Sequence, residues 1–331
     1  MIVNTRVLGG HTTGVQRYLE SILAECSGEY KTVQPMFSML NNGIAGHLWE
    51  QVMLPAQLCS GDLLWSPSNT GPLAVRRQVV TLHDVVPFDH PEWLNPRFVS
   101  WYKYLQPKLI DRVEKIITIS EFSKERIVEV FGVDEDKVKV VYNGVSPFPD
   151  KKNVPIPFDR YILSVGSLEP RKNLARLIKA WESLGEKTRG AGLVVVGAKG
   201  VQRIFKDAAG LDHRQENILF TGHVSNAELS FLYENAIGFC YPSLYEGFGL
   251  PPLEAMLHKT PVITSDNSAL KELFSGKSIL VDPYSVSSIS EAIDVLLAEG
   301  GSREYVERGY DFATSLSWRE CARRTYKEIT G

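Results

Sequence analysis

Residues 241–256 read YPSLYEGFGLPPLEAM and follow the apolar run 237–241. Gly247, Gly249, Pro251 and Pro252 forbid a continuous helix across this stretch, so it reads as a strand, a glycine-rich loop and a helix start. Glu246 then falls on the loop and Glu254 in the first helical turn, both facing the carboxyl end of the strand. Open parallel sheets bind ligands at that end. A glycine loop lets backbone N–H groups come close to a ligand, and a carboxylate accepts from two neighbouring sugar hydroxyls at once. A plainer reading stands beside this one: Glu254 complements the helix dipole and Glu246 is solvated.

Outward from this stretch, strand-like and helix-like segments alternate. In the second half, 161–165, 193–196, 218–221, 237–241, 261–264 and 278–281 are rich in β-branched or aromatic residues. The helices between them announce their starts with Ser-x-x-Glu capping boxes at Ser225/Glu228, Ser288/Glu291 and Ser317/Glu320. In the first half the strands are 2–8, 30–37, 62–65, 79–82, 115–119 and 137–142. Val15, Tyr18, Leu19, Ile22, Leu23 and Cys26 mark one buried face of the first helix. Such alternation gives α/β architecture, a parallel sheet covered on both faces. Pro147, Pro149, Pro155 and Pro157 break the rhythm, so residues 146–158 read as a linker between domains 1–150 and 151–331, with a cleft between two doubly wound sheets.

Composition narrows the function classes. The chain has 331 residues, 44% apolar, with 36 basic against 39 acidic side chains and a formal charge of −3, which fits neither a disordered chain nor a generally basic nucleic-acid binder. The four cysteines lie far apart without C-x-x-C spacing and read as reduced thiols. The longest apolar run, 191–198, is far short of the roughly 18 residues that span a bilayer, and the first residues lack a leader's basic start and apolar stretch. The chain therefore reads as cytoplasmic.

Other stretches follow strands. Residues 164–174, SVGSLEPRKNL, enter a helix whose apolar face is Leu174, Leu177, Ile178 and Trp181. Arg171 and Lys172 beside a helix start, with Asn173 as its cap, make an anion site suited to a diphosphate; the alternative is a basic pair on a solvated turn. Gly9-Gly10-His11-Thr12-Thr13-Gly14 precedes the first helix and forms a second phosphate-facing candidate. It does not match G-x-G-x-x-G, and G-x-x-x-x-G-K-[ST] occurs nowhere, so nicotinamide and nucleoside-triphosphatase readings lose their support. His83 sits beyond a strand, where a structural role competes with a functional one. Asp134-Glu135-Asp136 reads as a solvated turn, and no residue set is assigned to a metal. Between residues 94 and 128 seven cations outnumber four carboxylates beside Phe98, Trp101, Tyr102 and Tyr104, either a packed helix with a solvated rim or a face that rests on anionic lipid.

Taken in order, Thr13-Gly14-Val15-Gln16-Arg17-Tyr18, Thr81-Leu82-His83-Asp84, residues 117–123, Tyr142-Asn143-Gly144-Val145, residues 165–173 and residues 246–255 resemble the retaining glycosyltransferases of family 4 in their mannosyltransferase-like branch. The pieces run through nearly the whole chain, and Glu-x₇-Glu in an E-G-F-G-L-P-x-x-E-A setting is highly specific. The resemblance implies a GT-B fold, two Rossmann-like domains, with the acceptor bound by the amino-terminal one and the sugar nucleotide by the other; the last helix, from Trp318, packs back on the first. It implies that Lys172 with Arg171 binds the diphosphate and Glu254 the ribose hydroxyls. Glu246 and the backbone of Gly247, Phe248, Gly249 and Leu250 hold the donor sugar, Val224 meets the base, and Gly166 and Ser167 border the same site. Gly14 faces the diphosphate and His83 the sugar, so that Glu246, His83, Lys172 and Arg171 form the catalytic set. Many relatives carry an arginine directly after the glycine of the first carboxyl-domain strand; here that position is Ser167, and Arg171 is the candidate to replace it. The expected reaction is metal-free and cofactor-free transfer of a hexose, with GDP-mannose as the first choice of sugar donor, to a lipid-linked or oligosaccharide acceptor in O-antigen, capsule or other polysaccharide assembly at the inner membrane face. A UDP- or dTDP-sugar transferase, a sugar-nucleotide epimerase on the same fold and a non-catalytic nucleotide-sugar-binding subunit are the competing readings.

Overall fold

The computed structural model describes residues 1–9, 14–26, 30–37, 43–148, 150–197 and 217–331. It divides into two compact units, Met1–Gly144 with Leu316–Gly331, and Val145–Ser315.

The first unit holds β1 (Ile2–Asn4), β2 (Lys31–Val33), β3 (Leu64–Ser66), β4 (Gln78–Thr81), β5 (Lys115–Thr118) and β6 (Val138–Val140), all parallel, in the order β2-β1-β3-β4-β5-β6. Its helices include α1 (Gly14–Glu25), α2 (Gly43–Leu48), α3 (Val86–Asp89), α4 (Pro96–Arg112) and α5 (Glu121–Phe131). β3 and β4 are buried along their whole length, as expected of strands covered on both faces. β1 is shorter than its apolar run because the Asn4 side chain accepts from the Arg6 N–H at 3.2 Å and turns the chain into a tight helical turn over Arg6–Gly9. β2 is an edge strand and stops before Pro35, short of the expected residue 37.

The second unit holds β7 (Arg160–Val165), β8 (Ala191–Val196), β9 (Ile218–Gly222), β10 (Gly238–Tyr241), β11 (Val262–Ser265) and β12 (Ile279–Val281), also parallel, ordered β12-β11-β10-β7-β8-β9. α6 (Leu174–Ser183), α7 (Asn226–Asn235), α8 (Leu250–Leu257), α9 (Ser268–Phe274), α10 (Val286–Glu299) and α11 (Arg303–Ser315) surround the sheet. Its core joins Leu177, Ile178 and Trp181 of α6 to Leu193 and Val195 of β8 and to Ile289, Ile293 and Leu296 of α10. The proline-rich stretch belongs to this unit. Lys152 N–H donates to the Ala227 carbonyl at 2.9 Å, and Lys151 and Lys152 pair with Glu234 at 2.6 Å and Glu228 at 2.9 Å. The last helix, α12 (Trp318–Thr330), belongs to the first unit, where Trp318 meets Tyr18 edge-on at 6.4 Å and Gly144 lies so close that a Cβ there would stand 2.2 Å from the Trp318 nitrogen.

The helix starts sort the three capping boxes. Ser225 and Glu228 form the full reciprocal box. At Ser317 only half forms: its hydroxyl accepts from the Glu320 N–H at 3.2 Å, while the Glu320 carboxylate takes Arg323 instead. Ser288 is not a cap. Ser285 caps α10 by accepting from the Ser288 N–H at 3.1 Å, so the helix begins earlier than its box-like spacing suggests. Glu254 is likewise displaced: α8 begins at Leu250, which puts Glu254 past the first turn.

Candidate active site

β7 and β10 pair directly, so the loops that leave their carboxyl ends lie side by side. Two clasps join them. The Leu244 N–H donates to the Arg171 carbonyl at 2.7 Å, and the Asn173 amide donates to the carbonyls of Pro242 at 2.9 Å and Pro283 at 2.7 Å. Asn173 adopts φ 59°, a left-handed conformation that asparagine tolerates better than most residues. The cap role expected for it is therefore corrected, because its side chain bridges neighbouring loops and does not cap α6.

The clasped loops bring Arg171, Lys172 and Glu246 together. Arg171 Nη1 reaches Glu246 Oε2 at 2.8 Å, and Lys172 Nζ reaches Glu246 Oε1 at 2.7 Å. The Tyr241 hydroxyl accepts from Lys172 Nζ at 2.6 Å and donates to Glu246 Oε1 at 2.9 Å. Arg171 Nε pairs with Glu169 at 2.6 Å, whose other oxygen accepts from the Ser167 hydroxyl at 2.7 Å. Burial pushes the Glu246 carboxyl up, but Lys172 and Arg171 outweigh it and hold the group at about 2. Burial would lower the Lys172 ammonium, and Glu246 raises it overall. Burial pushes the Tyr241 phenol up to about 12, so the hydroxyl keeps its proton. The cluster is thus a preformed, ionised set of two cations and two carboxylates at the carboxyl edge of the sheet.

The glycine loop is built for close approach. Gly249 has φ 110°, and a Cβ there would stand 2.8 Å from Leu270 Cδ2. Gly247 and Phe248 are buried and Leu250 is half-buried. The loop is pinned from β11 and α9: the Ser265 hydroxyl donates to the Ser243 carbonyl at 2.6 Å, and the Asn267 amide to Leu244 at 2.8 Å. Glu254 is engaged on the α7 side, where it accepts from the Tyr233 hydroxyl at 3.0 Å, and its carbonyl meets His258 Nδ1 at 2.8 Å. Gly166 lies at the end of β7, with its N–H donating to Val196 at 3.0 Å, and Ser167 is exposed. Val224 is half-buried between β9 and the capped start of α7.

The remaining candidates lie in the first unit. Gly14 opens α1 and is exposed; residues 10–13 of its loop lie outside the described residues. His83 is buried just past β4, donates from Nε2 to the Pro67 carbonyl at 2.9 Å and meets the Tyr18 ring edge-on at 4.8 Å. Burial drives its pKa down to about 4 against the Pro67 hydrogen bond, so the ring is neutral near pH 7. Asp134 accepts from the Asp136 N–H at 2.8 Å in a tight turn, and no group of three potential metal-ligating side chains occurs among the described residues.

Comparison with known proteins gives the family. Residues 148–310 match the family described as glycosyl transferases group 1, and residues 63–147 match glycosyltransferase family 4. The chain is 31% identical to O-antigen chain mannosyltransferase B of Escherichia coli, over 77% of this chain and 70% of that protein. It is 32% identical to the O-antigen chain mannosyltransferase RfbU of Salmonella typhimurium, over 80% and 74%. The chain belongs to glycosyltransferase family 4. This glycosyltransferase shares its GT-B fold with WaaG, a glycosyltransferase involved in lipopolysaccharide biosynthesis, at a TM-score of 0.74 and 18% identity over the full length of both. It matches sucrose-phosphate synthase of Thermosynechococcus elongatus at a TM-score of 0.74 and 17% identity, over 99% and 97% of the two chains.

Sequence reasoning missed three members of the transferase's polar framework. Tyr241 ends a fully buried strand and reads as core, yet its hydroxyl joins Lys172 to Glu246. Tyr233 holds Glu254 from the last turn of α7. Glu50 is fully buried beside the last residue of β1, where Asn4 donates to it at 2.8 Å and Arg6 Nε approaches at 3.5 Å. None of the three belongs to a spacing pattern, and only an ionisable residue inside an apolar surround marks Glu50.

Proposed function

We propose that this glycosyltransferase moves mannose from GDP-mannose, with retention at the anomeric carbon, to a lipid-linked or oligosaccharide acceptor during assembly of a cell-surface polysaccharide. The observation that carries the reading is the Arg171–Lys172–Glu246 cluster at the carboxyl edge of the second sheet, in a chain whose relatives are named O-antigen mannosyltransferases. Lys172 and Arg171 take the diphosphate, Glu254 the ribose hydroxyls, Glu246 and the Gly247–Leu250 loop the mannose, and Val224 the base. The first unit takes the acceptor, with Gly14 assigned to the diphosphate and the neutral His83 to the sugar.

Cleavage of the sugar–phosphate bond leaves negative charge on the diphosphate, and Lys172 and Arg171 neutralise it without a metal or further cofactor. The acceptor hydroxyl attacks from the face the phosphate leaves, and the leaving phosphate oxygen takes its proton. A carboxyl held at about 2 and paired with two cations is a weak nucleophile, which favours this path over a covalent intermediate on Glu246. The acceptor's lipid also fits α4, which exposes Phe98 and Tyr104 and places Lys108 Nζ 3.5 Å from the Tyr104 ring centroid. No helix among the described residues is long and apolar enough to cross a membrane, so the proposed contact is peripheral.

A thermal-shift panel of GDP, UDP, dTDP and ADP with their common sugars tests the reading, because a ligand that binds the folded state raises its melting temperature. Selective stabilisation by GDP and GDP-mannose is expected. A selective response to another nucleotide discards mannose, and no response to any of them favours a non-catalytic chain.

A further inference from the structure

Arg171 and Lys172, the cations assigned above to the diphosphate, are both already paired within the protein. Glu246 offers one oxygen to each, at 2.8 and 2.7 Å, and Glu169 occupies the Nε edge of Arg171 at 2.6 Å. Two carboxylates face two cations, so the cluster is balanced within itself. A diphosphate brings further negative charge to the same two side chains, and like charges at hydrogen-bonding distances repel. The pairing is held in place: the Leu244-to-Arg171 and Asn173-to-Pro242 bonds fix one loop against the other, and the Tyr241 hydroxyl locks Glu246 Oε1 to Lys172 Nζ.

We infer that Glu246 is an internal competitor of the diphosphate for Arg171 and Lys172, and yields them most readily when other hydrogen-bond donors take over its carboxylate. Such donors matter because a buried carboxylate stripped of its partners is costly. The hydroxyls of a sugar still attached to the diphosphate are donors of this kind, and a nucleoside diphosphate alone brings no sugar to that loop. The exchange therefore favours the intact sugar donor over the spent nucleotide, and Glu246 closes on the cations again as the product leaves. The inference rests on the assignment of Lys172 and Arg171 to the diphosphate.

The test is calorimetric titration of inorganic diphosphate, which carries neither base nor sugar, into the full chain and its Glu246→Gln and Lys172→Ala variants. Glu246→Gln is expected to bind diphosphate at least about tenfold more tightly than the unmodified protein, and Lys172→Ala at least about tenfold more weakly, the scale of one close charge in a partly screened site. Tyr241→Phe, which loosens the hold of Glu246 on Lys172, should move affinity in the same direction as Glu246→Gln by a smaller factor, and it carries the test if Glu246→Gln does not fold. Loss of binding in Lys172→Ala with no gain in either Glu246→Gln or Tyr241→Phe overturns the competition and leaves the diphosphate site standing. Undiminished binding in Lys172→Ala overturns the site, and the competition with it.

Discussion

Glu246 and Glu50 are both buried carboxylates beside cations at the carboxyl edge of a parallel sheet, one in each unit, yet they are held very differently. Both oxygens of Glu246 have partners at 2.7 to 2.9 Å, from Arg171, Lys172 and Tyr241. Glu50 takes one such bond, from Asn4 at 2.8 Å; Arg6 Nε stands off at 3.5 Å and His47 at 3.8 Å, and Oε2 has no hydrogen-bond partner among the described residues. Burial raises the Glu50 carboxyl, and His47 and Arg6 bring it below its ordinary value. The tightly matched carboxylate sits on glycine loops that set its geometry, and the loosely matched one sits in a helical segment packed into the unit. A matched cluster is one whose members are expensive to remove singly, and whose opening needs a competing ligand.

The largest expected effect is on catalysis. Lys172→Ala removes the cation proposed to neutralise the leaving diphosphate, and transfer should fall by roughly a thousandfold or more, whereas Glu50→Gln should change the rate far less; initial-rate assays with the sugar donor chosen by the thermal-shift panel compare the two. Similar losses in both would erase the distinction between a chemical cluster and a structural one.

Stability sharpens the comparison next. Glu246→Ala leaves Lys172 buried opposite no carboxylate and should cost about 3 kcal/mol, while Glu50→Gln, already half-matched, should cost about 1 kcal/mol. Urea midpoints followed by a probe in each unit read the two, since the substitutions lie in different units and a single transition is not assured.

Acid titration separates the units by pH. His83 is neutral when folded, with its pKa lowered from 6.5 to about 4, so its contribution is complete above pH 6.5 and is lost as pH falls toward 4, a penalty of about 3 kcal/mol. Glu246 is lowered from 4.5 to about 2, so its contribution persists above 4.5 and is lost only as pH falls toward 2. His83→Gln should remove the first loss and leave the second; a stability profile unchanged by His83→Gln would contradict the buried neutral imidazole.

The smallest effect concerns α4. Weak binding to anionic vesicles that disappears at high salt is expected, reduced by Lys108→Ala, with no binding to neutral vesicles. Equal binding to both kinds of vesicle would remove the electrostatic contact.

Most of the sheet was legible because strand signals are local. Runs such as Ile162–Leu163 and Val194–Val195 are apolar whichever way the strand faces, and the proline and glycine residues around them set the limits. Where an edge strand or a side-chain turn ended the element early, as at Pro35 and Asn4, the run alone overstated its length. Arg171, Lys172 and Glu246 could be singled out because they stand on loops after strands, where breakers leave a visible mark. Tyr241, Tyr233 and Glu50 act through side chains inside regular elements, and their partners are distant in sequence: Tyr241 meets a lysine 69 residues away and Glu50 an asparagine 46 residues away. Asn173 looked like a helix cap for the same reason, since its true partners, Pro242 and Pro283, come from other loops.

The most direct test of the account is a calorimetric titration of GDP-mannose into the full chain and its Lys172→Ala variant, with folding of both checked by circular dichroism. Saturable binding by the unmodified chain and its loss in the variant are expected; equal affinity in both would contradict the assignment of the donor's diphosphate to the carboxyl edge of the second sheet.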